Sequence, residues 1–315
     1  MAEQSITELG KKPVKTVLSL SVPAIAEQLL TSLAGLIDTA MVGSIGAAAT
    51  ASIAINISTI WLIDGFITAS SAGSMFLVAR SLGEGNKIMA KRITRQSITV
   101  AVILGLILSL ITLAVSGSLP YWLGAEKDVI PLAITYMRIY GFTFIFQAIA
   151  VTISSIFRAA GNTKTPFLIN AAANIANIIG NFLLIYPTRS VFGMSVFGAG
   201  LGVEGAALST LISKILAAIF LLIFIVRMNS PVKISIKGDY RVSISNLKKL
   251  LAIGIPVAAE RSTLSIGQVA LTGIVSRLGT VALAAHYLTN NKTMKKLLLI
   301  AVLIAACLSA TAYVA

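Results

Sequence analysis

Seven long apolar runs dominate the sequence, and each is long enough to cross a lipid bilayer. A membrane-spanning helix needs about 20 apolar residues. The runs cover residues 15–43, 48–79, 96–118, 129–156, 165–186, 197–226 and 247–277, and a last apolar stretch covers 297–315. They are too long for barrel strands and lack the two-residue alternation of such strands, which indicates helices. With 57% hydrophobic and 11% charged residues, the chain is predicted to be an all-α, polytopic membrane helical bundle.

Lysine and arginine residues are concentrated in alternate connections between these runs. The basic positions are Lys11, Lys12 and Lys15; Arg80, Lys87, Lys91, Arg92 and Arg95; Arg158 and Lys164; and Arg227, Lys233, Lys237, Arg241, Lys248 and Lys249. This alternation is the positive-inside pattern, and it predicts a multi-pass protein of the plasma (inner) membrane with a cytoplasmic N-terminus. The net charge of +14 is not accompanied by a basic patch with interleaved aromatic residues, so we predict no nucleic-acid partner.

Residues 22–54 and 255–287 align without gaps, which indicates an internal repeat. The matched pairs include Pro23 with Pro256, Glu27 with Glu260, and Gly46 with Gly279. Both copies begin on the basic side, so we predict parallel repeats of six helices each. The predicted organisation is an N-terminal six-helix lobe at 1–227, a cytoplasmic linker at 228–246, the start of a second lobe with the seventh helix at 247–289, and an atypical tail at 290–315.

The tail allows two interpretations. From Met294 it has the form of a secretory signal peptide, with two lysines, an apolar core and an A-x-A site at residues 310–312. Alternatively, it is an irregular eighth helix that can barely span the bilayer. An eighth helix would leave Lys292, Lys295 and Lys296 outside the cell, against the positive-inside trend. We therefore favour a truncation, a frameshift or a fusion over a natural eighth helix.

Asp38 is a carboxylate inside the first apolar run, in the stretch GLIDTAMVG. Inserting an aspartate at the centre of a membrane helix costs roughly 2.5–3.5 kcal/mol, so a retained one usually has a function. Glu27 and Thr31 precede it at intervals that place all three on one helix face. A buried Asp38 could hold a proton or, with nearby oxygens, bind sodium. The alternative is an acid close to the helix end that reaches the headgroup region.

Four asparagines of the fifth run recur at intervals of four, three and four residues, so their amides share one helix face. They are Asn170, Asn174, Asn177 and Asn181. Amide oxygens can ligate hard cations or hydrogen-bond a protonated carboxyl group. The alternative is interhelical packing, worth about 0.6 kcal/mol per bond. Four amides in register favour a polar site.

Four ionisable residues besides Asp38 are candidates for function. Glu27 and its repeat Glu260 each follow a proline by one turn. Each could be a second protonatable site. The alternative for Glu260 is a position near the cytoplasmic interface, paired with Arg261. Asp64 lies in the middle of the second run, which makes it a candidate acid by its depth. Lys214 either snorkels to the interface or faces a central cavity.

No arrangement of residues in the sequence indicates an enzyme or a resident metal. Cys307 and His286 are single residues of their type, and the glycine stretches GEGN and AAGNTK lack phosphate-loop spacing. We predict no cofactor, and no metal beyond a sodium ion at Asp38. The expected partner of the apolar runs is the lipid bilayer, and the oligomeric state stays open.

Several stretches, taken together and in this order, resemble the multidrug and toxic compound extrusion (MATE) family of transporters. They are PAIAEQL and IDTAMVGSIG in the first run, VARSLGEGN after the second, RAAGNTKTP after the fourth, NAAANIANIIGNFLLIY in the fifth, GVEGAALST in the sixth, and GIPVAAER with SRLGTVALAAH in the seventh. The resemblance covers roughly residues 12–289 and implies a twelve-helix antiporter. Such a protein uses an inward proton or sodium gradient to expel organic, usually cationic, compounds.

The resemblance also implies roles for particular residues. Asp38 matches the family's acid for cation coupling, and Thr210 matches a threonine near the polar cluster. Asn177 and Asn181 fall where some relatives have an asparagine and an aspartate, so Asn181 departs from those members and weakens a sodium site of their kind. Two alternatives remain: a lipid or lipid-linked oligosaccharide flippase of the same superfamily, and a non-transporting fragment that binds only ions or a partner.

Overall fold

A computed structural model of the protein describes residues 13–191, 194–235 and 237–290. Its elements are α1 (Pro13–Gly43), α2 (Ala47–Gly83), α3 (Lys87–Val115), α4 (Leu119–Trp122), α5 (Ile130–Gly141), α6 (Thr143–Ala159), α7 (Lys164–Leu184), β1 (Pro187–Val191), β2 (Met194–Ala199), α8 (Gly202–Arg227), α9 (Ile244–Ser276) and α10 (Thr280–Asn290). Six of the described helices are long and apolar enough to cross a membrane, and α5 with α6 can make a seventh span. The predicted all-α polytopic bundle is therefore confirmed. From residue 291 onward, the tail lies outside the described residues.

A short β-hairpin follows α7 and includes the first residues of the sixth apolar run. Strands β1 and β2 pair in antiparallel fashion, and the sixth span begins only at Gly202 rather than at residue 197. The Arg189 guanidinium lies 4.3 Å from the Phe182 ring centre and 3.9 Å from that of Tyr186, so it stacks the hairpin onto the end of α7. Two strands this short give too few alternations to stand out beside an apolar run.

The fourth span is broken into α5 and α6, which meet at an angle of 45°. A break within a bilayer leaves backbone carbonyl groups without their helical donors, and these groups need other partners. The Ser109 hydroxyl of α3 donates to the Gly141 carbonyl at 2.7 Å, at the end of α5. Nearer the start of α5, the buried Asn56 amide donates to the Ala133 carbonyl at 2.9 Å. Side chains of α2 and α3 thus stabilise the broken span.

The internal repeat is visible in the backbone. Gly46 separates α1 from α2 with a φ of 143°, and Gly279 separates α9 from α10 with a φ of 109°. Positive φ values are readily adopted only by glycine, so both breaks require this residue. The matched prolines Pro23 and Pro256 both lie inside their helices, α1 and α9. The helix-break-helix unit at residues 13–83 therefore recurs at 244–290.

Helix α2 lies at the centre of the bundle and packs most extensively against α9. Small residues allow the two backbones to approach closely. A Cβ atom placed on Gly73 would lie 2.6 Å from the Leu250 carbonyl oxygen, and one placed on Gly254 would lie 3.2 Å from the carbonyl oxygen of Ala69. The seventh span is thus fixed against the second by reciprocal glycine contacts.

We expect Gly73→Ala to destabilise the protein, because the new methyl group would push α9 away from α2. Overpacking of this kind costs about 1–3 kcal/mol. Gly83→Ala is the matched control on the same helix, since nothing lies within 4 Å of a Cβ at that position. Thermal unfolding of the purified variants in detergent measures both effects. Equal melting temperatures for the two variants would contradict the close α2–α9 contact.

Candidate functional site

The polar face of α1 is paired with the asparagine face of α7. In each contact, an asparagine amide of α7 donates to a side-chain oxygen of α1. The contacts are Asn170 to Glu27 Oε1 at 2.7 Å, Asn174 to Thr31 Oγ1 at 3.3 Å, and Asn181 to Asp38 Oδ1 at 2.5 Å. The partners are separated by 143 residues in every case, so the two helices run parallel and in register. We call these contacts the α1–α7 rungs.

The Asp38 rung lies deepest in the protein. The Asn181 side chain is fully buried, and its Oδ1 atom has no hydrogen-bond partner among the described residues. Asp38 is half-buried and lies within electrostatic reach of the hydroxyl groups of Tyr136, Tyr140 and Tyr287. These tyrosines come from α5 and α10, and the sequence analysis missed them. The four-residue spacing of the two on α5 is the only local signal.

Asn177 turns toward α8 rather than toward α1. Its amide lies 3.3 Å from the Ser209 hydroxyl and 3.3 Å from that of Thr210, and the Ser209 hydroxyl donates to the Asn177 carbonyl at 2.7 Å. The predicted coupling residues therefore form three separate contacts. Asn181 pairs with Asp38, Asn177 pairs with Thr210, and Asn174 belongs to the Thr31 rung.

A polar cavity of about 910 Å³ lies between α1, α2, α6, α7, α8 and α9. Its charged lining residues are Glu27, Asp64, Arg158, Lys214 and Arg261. The first two α1–α7 rungs open onto this cavity, since Thr31, Asn170 and Asn174 also line it. Asp38 and Asn181 do not belong to the lining. The site thus has two parts, a cavity and a separate carboxylate–amide pair further along α1.

Arg158 lies in the cavity wall, although the sequence analysis counted it among the charges of a connection. Its Nη1 atom is 3.4 Å from Glu27 Oε2, and its Nη2 atom donates to the Ser155 hydroxyl at 3.1 Å. The Arg158 and Glu27 side chains are 26% and 18% exposed, so water screens this ion pair only in part. Helix α6 continues to Ala159, which places Arg158 in its last turn rather than in a loop.

Asp64 and Lys214 face each other across the same cavity. The Gln147 amide of α6 donates to Asp64 Oδ1 at 2.9 Å. Lys214 of α8 interacts electrostatically with Asp64 and with Glu27. Of the two alternatives for this lysine, the structure shows the cavity-facing one. Gln147 was missed, since one amide in an apolar run gives no pattern.

Glu260 and Arg261 occupy different faces of α9. Arg261 lines the cavity and packs beside Gly65 of α2. A Cβ atom placed on Gly65 would lie 3.5 Å from the Cβ atom of Arg261. Glu260 is exposed and does not line the cavity. Its setting therefore differs from that of its repeat partner Glu27, which is bound by Asn170 and Arg158. The two glutamates share a sequence position but not an environment.

A cation at Asp38 would depend on one carboxylate and neutral oxygens. Within the part of the chain that the structure describes, no three His, Cys, Asp or Glu side chains converge as a metal site. The unpaired Asn181 Oδ1 atom is the neutral oxygen buried beside this carboxylate. This donor set can serve a proton or a singly charged ion, since both need few charged ligands.

Comparison with known proteins identifies a family from the sequence and finds the same fold in a solved structure. The MatE family model matches residues 23–183, just over half of the chain. The "Uncharacterized transporter YisQ" of Bacillus subtilis (strain 168) is 29% identical over 290 residues, which are 91% of this chain and 62% of YisQ. The "Probable multidrug resistance protein NorM" of Thermotoga maritima is 25% identical over 291 residues, 92% of this chain and 60% of NorM. The chain thus spans about three fifths of the length of these relatives.

A solved structure shares the fold. It is described as the inward-facing conformation of a multidrug resistance MATE family transporter, and it superposes with a TM-score of 0.76 at 23% identity. The match covers 88% of this chain and 61% of that one. The relatives are membrane transporters rather than enzymes, in agreement with the apolar helices found here. The chain is an integral, multi-pass membrane protein that belongs to the MATE (MatE) family of transporters.

Proposed function

We propose that the protein works as a cation-coupled antiporter that exports organic compounds by alternating access, with Asp38 as its coupling acid. The observation that carries this proposal is the contact between Asp38 and the buried Asn181, one α1–α7 rung beyond a polar cavity. Ligand cavities for drug-sized molecules measure about 300–1,000 Å³, and this cavity of about 910 Å³ falls in that range. The proposed setting is the inner membrane, with a cytoplasmic N-terminus.

The Asp38 rung can serve two charge states of the carboxyl group. An ionised Asp38 accepts a hydrogen bond from the Asn181 amide, which is the arrangement in the structure. A protonated Asp38 is itself a donor, and a rotated Asn181 amide could accept its proton through the oxygen that now has no partner. A sodium ion would use the same oxygen. Asn181 is neutral, so Asp38 supplies the only negative charge of this pair. A single negative charge favours a proton over a sodium ion.

Helix α1 is the element that should respond to this change. It packs mainly against α7, where the α1–α7 rungs supply the polar contacts. Pro23 removes one backbone donor inside α1 and lets the helix bend. Binding of a proton at Asp38 would alter one end of this contact, while the Glu27 rung at the other end faces the cavity. Ion binding and cargo release could be linked in this way.

We expect Asp38→Asn to lower export at least tenfold, because the amide keeps the size of the side chain but takes up no proton and supplies no negative charge for a cation. Everted membrane vesicles with an imposed pH or sodium gradient, supplied with a fluorescent dye from outside, measure export as uptake of the dye and identify the ion. Asp128→Asn, which changes an exposed acid ahead of α5, is the control and should export normally. Unchanged export by Asp38→Asn under both gradients would refute the assignment of the coupling acid.

The same vesicles distinguish the alternative functions. Movement of labelled lipid without dye export would favour a flippase. Vesicles of the 315-residue chain that move neither, but bind protons or sodium through Asp38, would favour a non-transporting membrane protein. Either result would reject multidrug export by this chain.

The ion pair between Arg158 and Glu27 joins α6 to α1 at the cavity. We expect Arg158→Gln to destabilise the protein by about 1–3 kcal/mol, because it leaves the half-buried Glu27 without its cation. Combining it with Glu27→Gln should recover at least 0.5 kcal/mol, the order expected for residues in contact, as measured by thermal unfolding of all four proteins of the cycle.

The matched control is the cycle at Arg80 and Glu84, an exposed ion pair on α2, which should show no measurable coupling. If the effects of Arg158→Gln and Glu27→Gln simply add, the ion pair does not stabilise the contact between α1 and α6, and this prediction is wrong.

A further inference from the structure

The charges on the cavity wall are unequal, and the acids are already engaged. Glu27 is bound by the Arg158 guanidinium and the Asn170 amide. Asp64 is bound by the Gln147 amide and faces Lys214. Against these two acids the lining has three basic residues, of which Arg261 has no hydrogen bond or ion pair among the described residues. The described wall therefore has an excess of one positive charge.

We propose that the cavity binds its cargo through an anionic group of that cargo, such as a carboxylate, phosphate or sulfonate, held by Arg261 with Lys214 as a second cation. The inference rests on the export function proposed above and names the class of its substrate. Arg261 is exposed and lines the cavity, so its guanidinium is accessible to an anionic group of a ligand. The planar guanidinium can hold such a group through two parallel hydrogen bonds. This cargo differs from the cationic compounds that the sequence resemblance implies.

The surroundings of Arg261 leave room for a ligand. Its stem packs beside Gly65 of α2, where the missing side chain keeps the backbone close and the space in front open. Asp64 precedes this glycine, and Trp61 lies one turn earlier, 47% exposed and also in the lining. An aromatic ring and a guanidinium in the lining of one cavity fit a ligand with an apolar, flat body and an acidic group.

Two kinds of cargo share this chemistry, a free organic anion and the headgroup of an anionic lipid. Both would place an oxyanion at Arg261, so the geometry of the cavity alone favours neither. A small aromatic acid and a short-chain phosphatidic acid separate them, because only the second has acyl chains that can remain between the helices.

The test measures binding to the purified 315-residue chain in phosphatidylcholine nanodiscs by isothermal titration calorimetry. The probes are 1-naphthylacetate, the matched cation 1-naphthylmethylammonium, and dihexanoyl phosphatidic acid. We expect at least one of the two anions to bind ten times more tightly than the cation. Arg261→Gln should lower that affinity at least tenfold, and Arg261→Lys should lower it less, because it keeps the charge. Lys249→Gln removes an exposed charge of the same helix outside the lining and should bind like the unchanged protein.

Each outcome decides the proposal. Tighter binding of phosphatidic acid assigns a lipid headgroup, and tighter binding of naphthylacetate assigns a free organic anion. Equal or tighter binding of the cation, or no binding of either anion, overturns the proposal. So does unchanged anion affinity in an Arg261→Gln variant that elutes as a single species. The assay needs no ion gradient, so failure of Asp38-dependent export beside intact Arg261-dependent binding would reject only the coupling function.

Discussion

Helix α1 can carry Glu27 and Asp38 through the bilayer because α7 places an amide opposite each of them. No water is present in a membrane core to solvate a lone carboxylate, so these acids require donors from the protein. Amides meet this requirement without adding charge, and the pairing works only while the two helices stay parallel and in register. A slip of α1 by one residue would break every α1–α7 rung at once. The position of α1 along α7 therefore determines whether its acids are hydrogen-bonded.

The rungs also divide the site into two regions with different chemistry. Toward the start of α1, the Glu27 rung opens onto a cavity whose other charges come from α2, α6, α8 and α9. Toward its end, the Asp38 rung includes the fully buried Asn181 and does not line the cavity. The proposed export requires a cavity that exchanges water, whereas the proposed storage of a proton at Asp38 requires a carboxylate shielded from water. Separation along one helix allows both conditions to hold in the same protein.

The sequence predicted the polar faces but not the contacts between them. The polar faces could be predicted from the spacing of the four asparagines on α7 and of Asp38 behind Glu27, because polar residues at helical intervals stand out in apolar runs. Which partner each residue meets depends on tertiary packing: Asn177 turns to α8, while its neighbours on the same face turn to α1. Arg158 was assigned to a connection because the end of a helix cannot be located from an apolar run alone. For Glu260 and Arg261, adjacent in sequence, only the angle of about 100° between successive helical residues decides which side chain faces the cavity.

The broken fourth span connects the two regions, and this gives its bend a physical role. Its first half, α5, brings Tyr136 and Tyr140 within electrostatic reach of Asp38, and Tyr140 is within reach of Asp64 as well. Its second half, α6, supplies the Gln147 amide to Asp64. With a bend of 45° between them, α5 approaches both acids and α6 contacts Asp64. Because the Ser109 hydroxyl binds the Gly141 carbonyl freed by the bend, this geometry costs no unsatisfied backbone group at that point. Tyr140 therefore lies within electrostatic reach of both acids, the one paired with Asn181 and the one that lines the cavity.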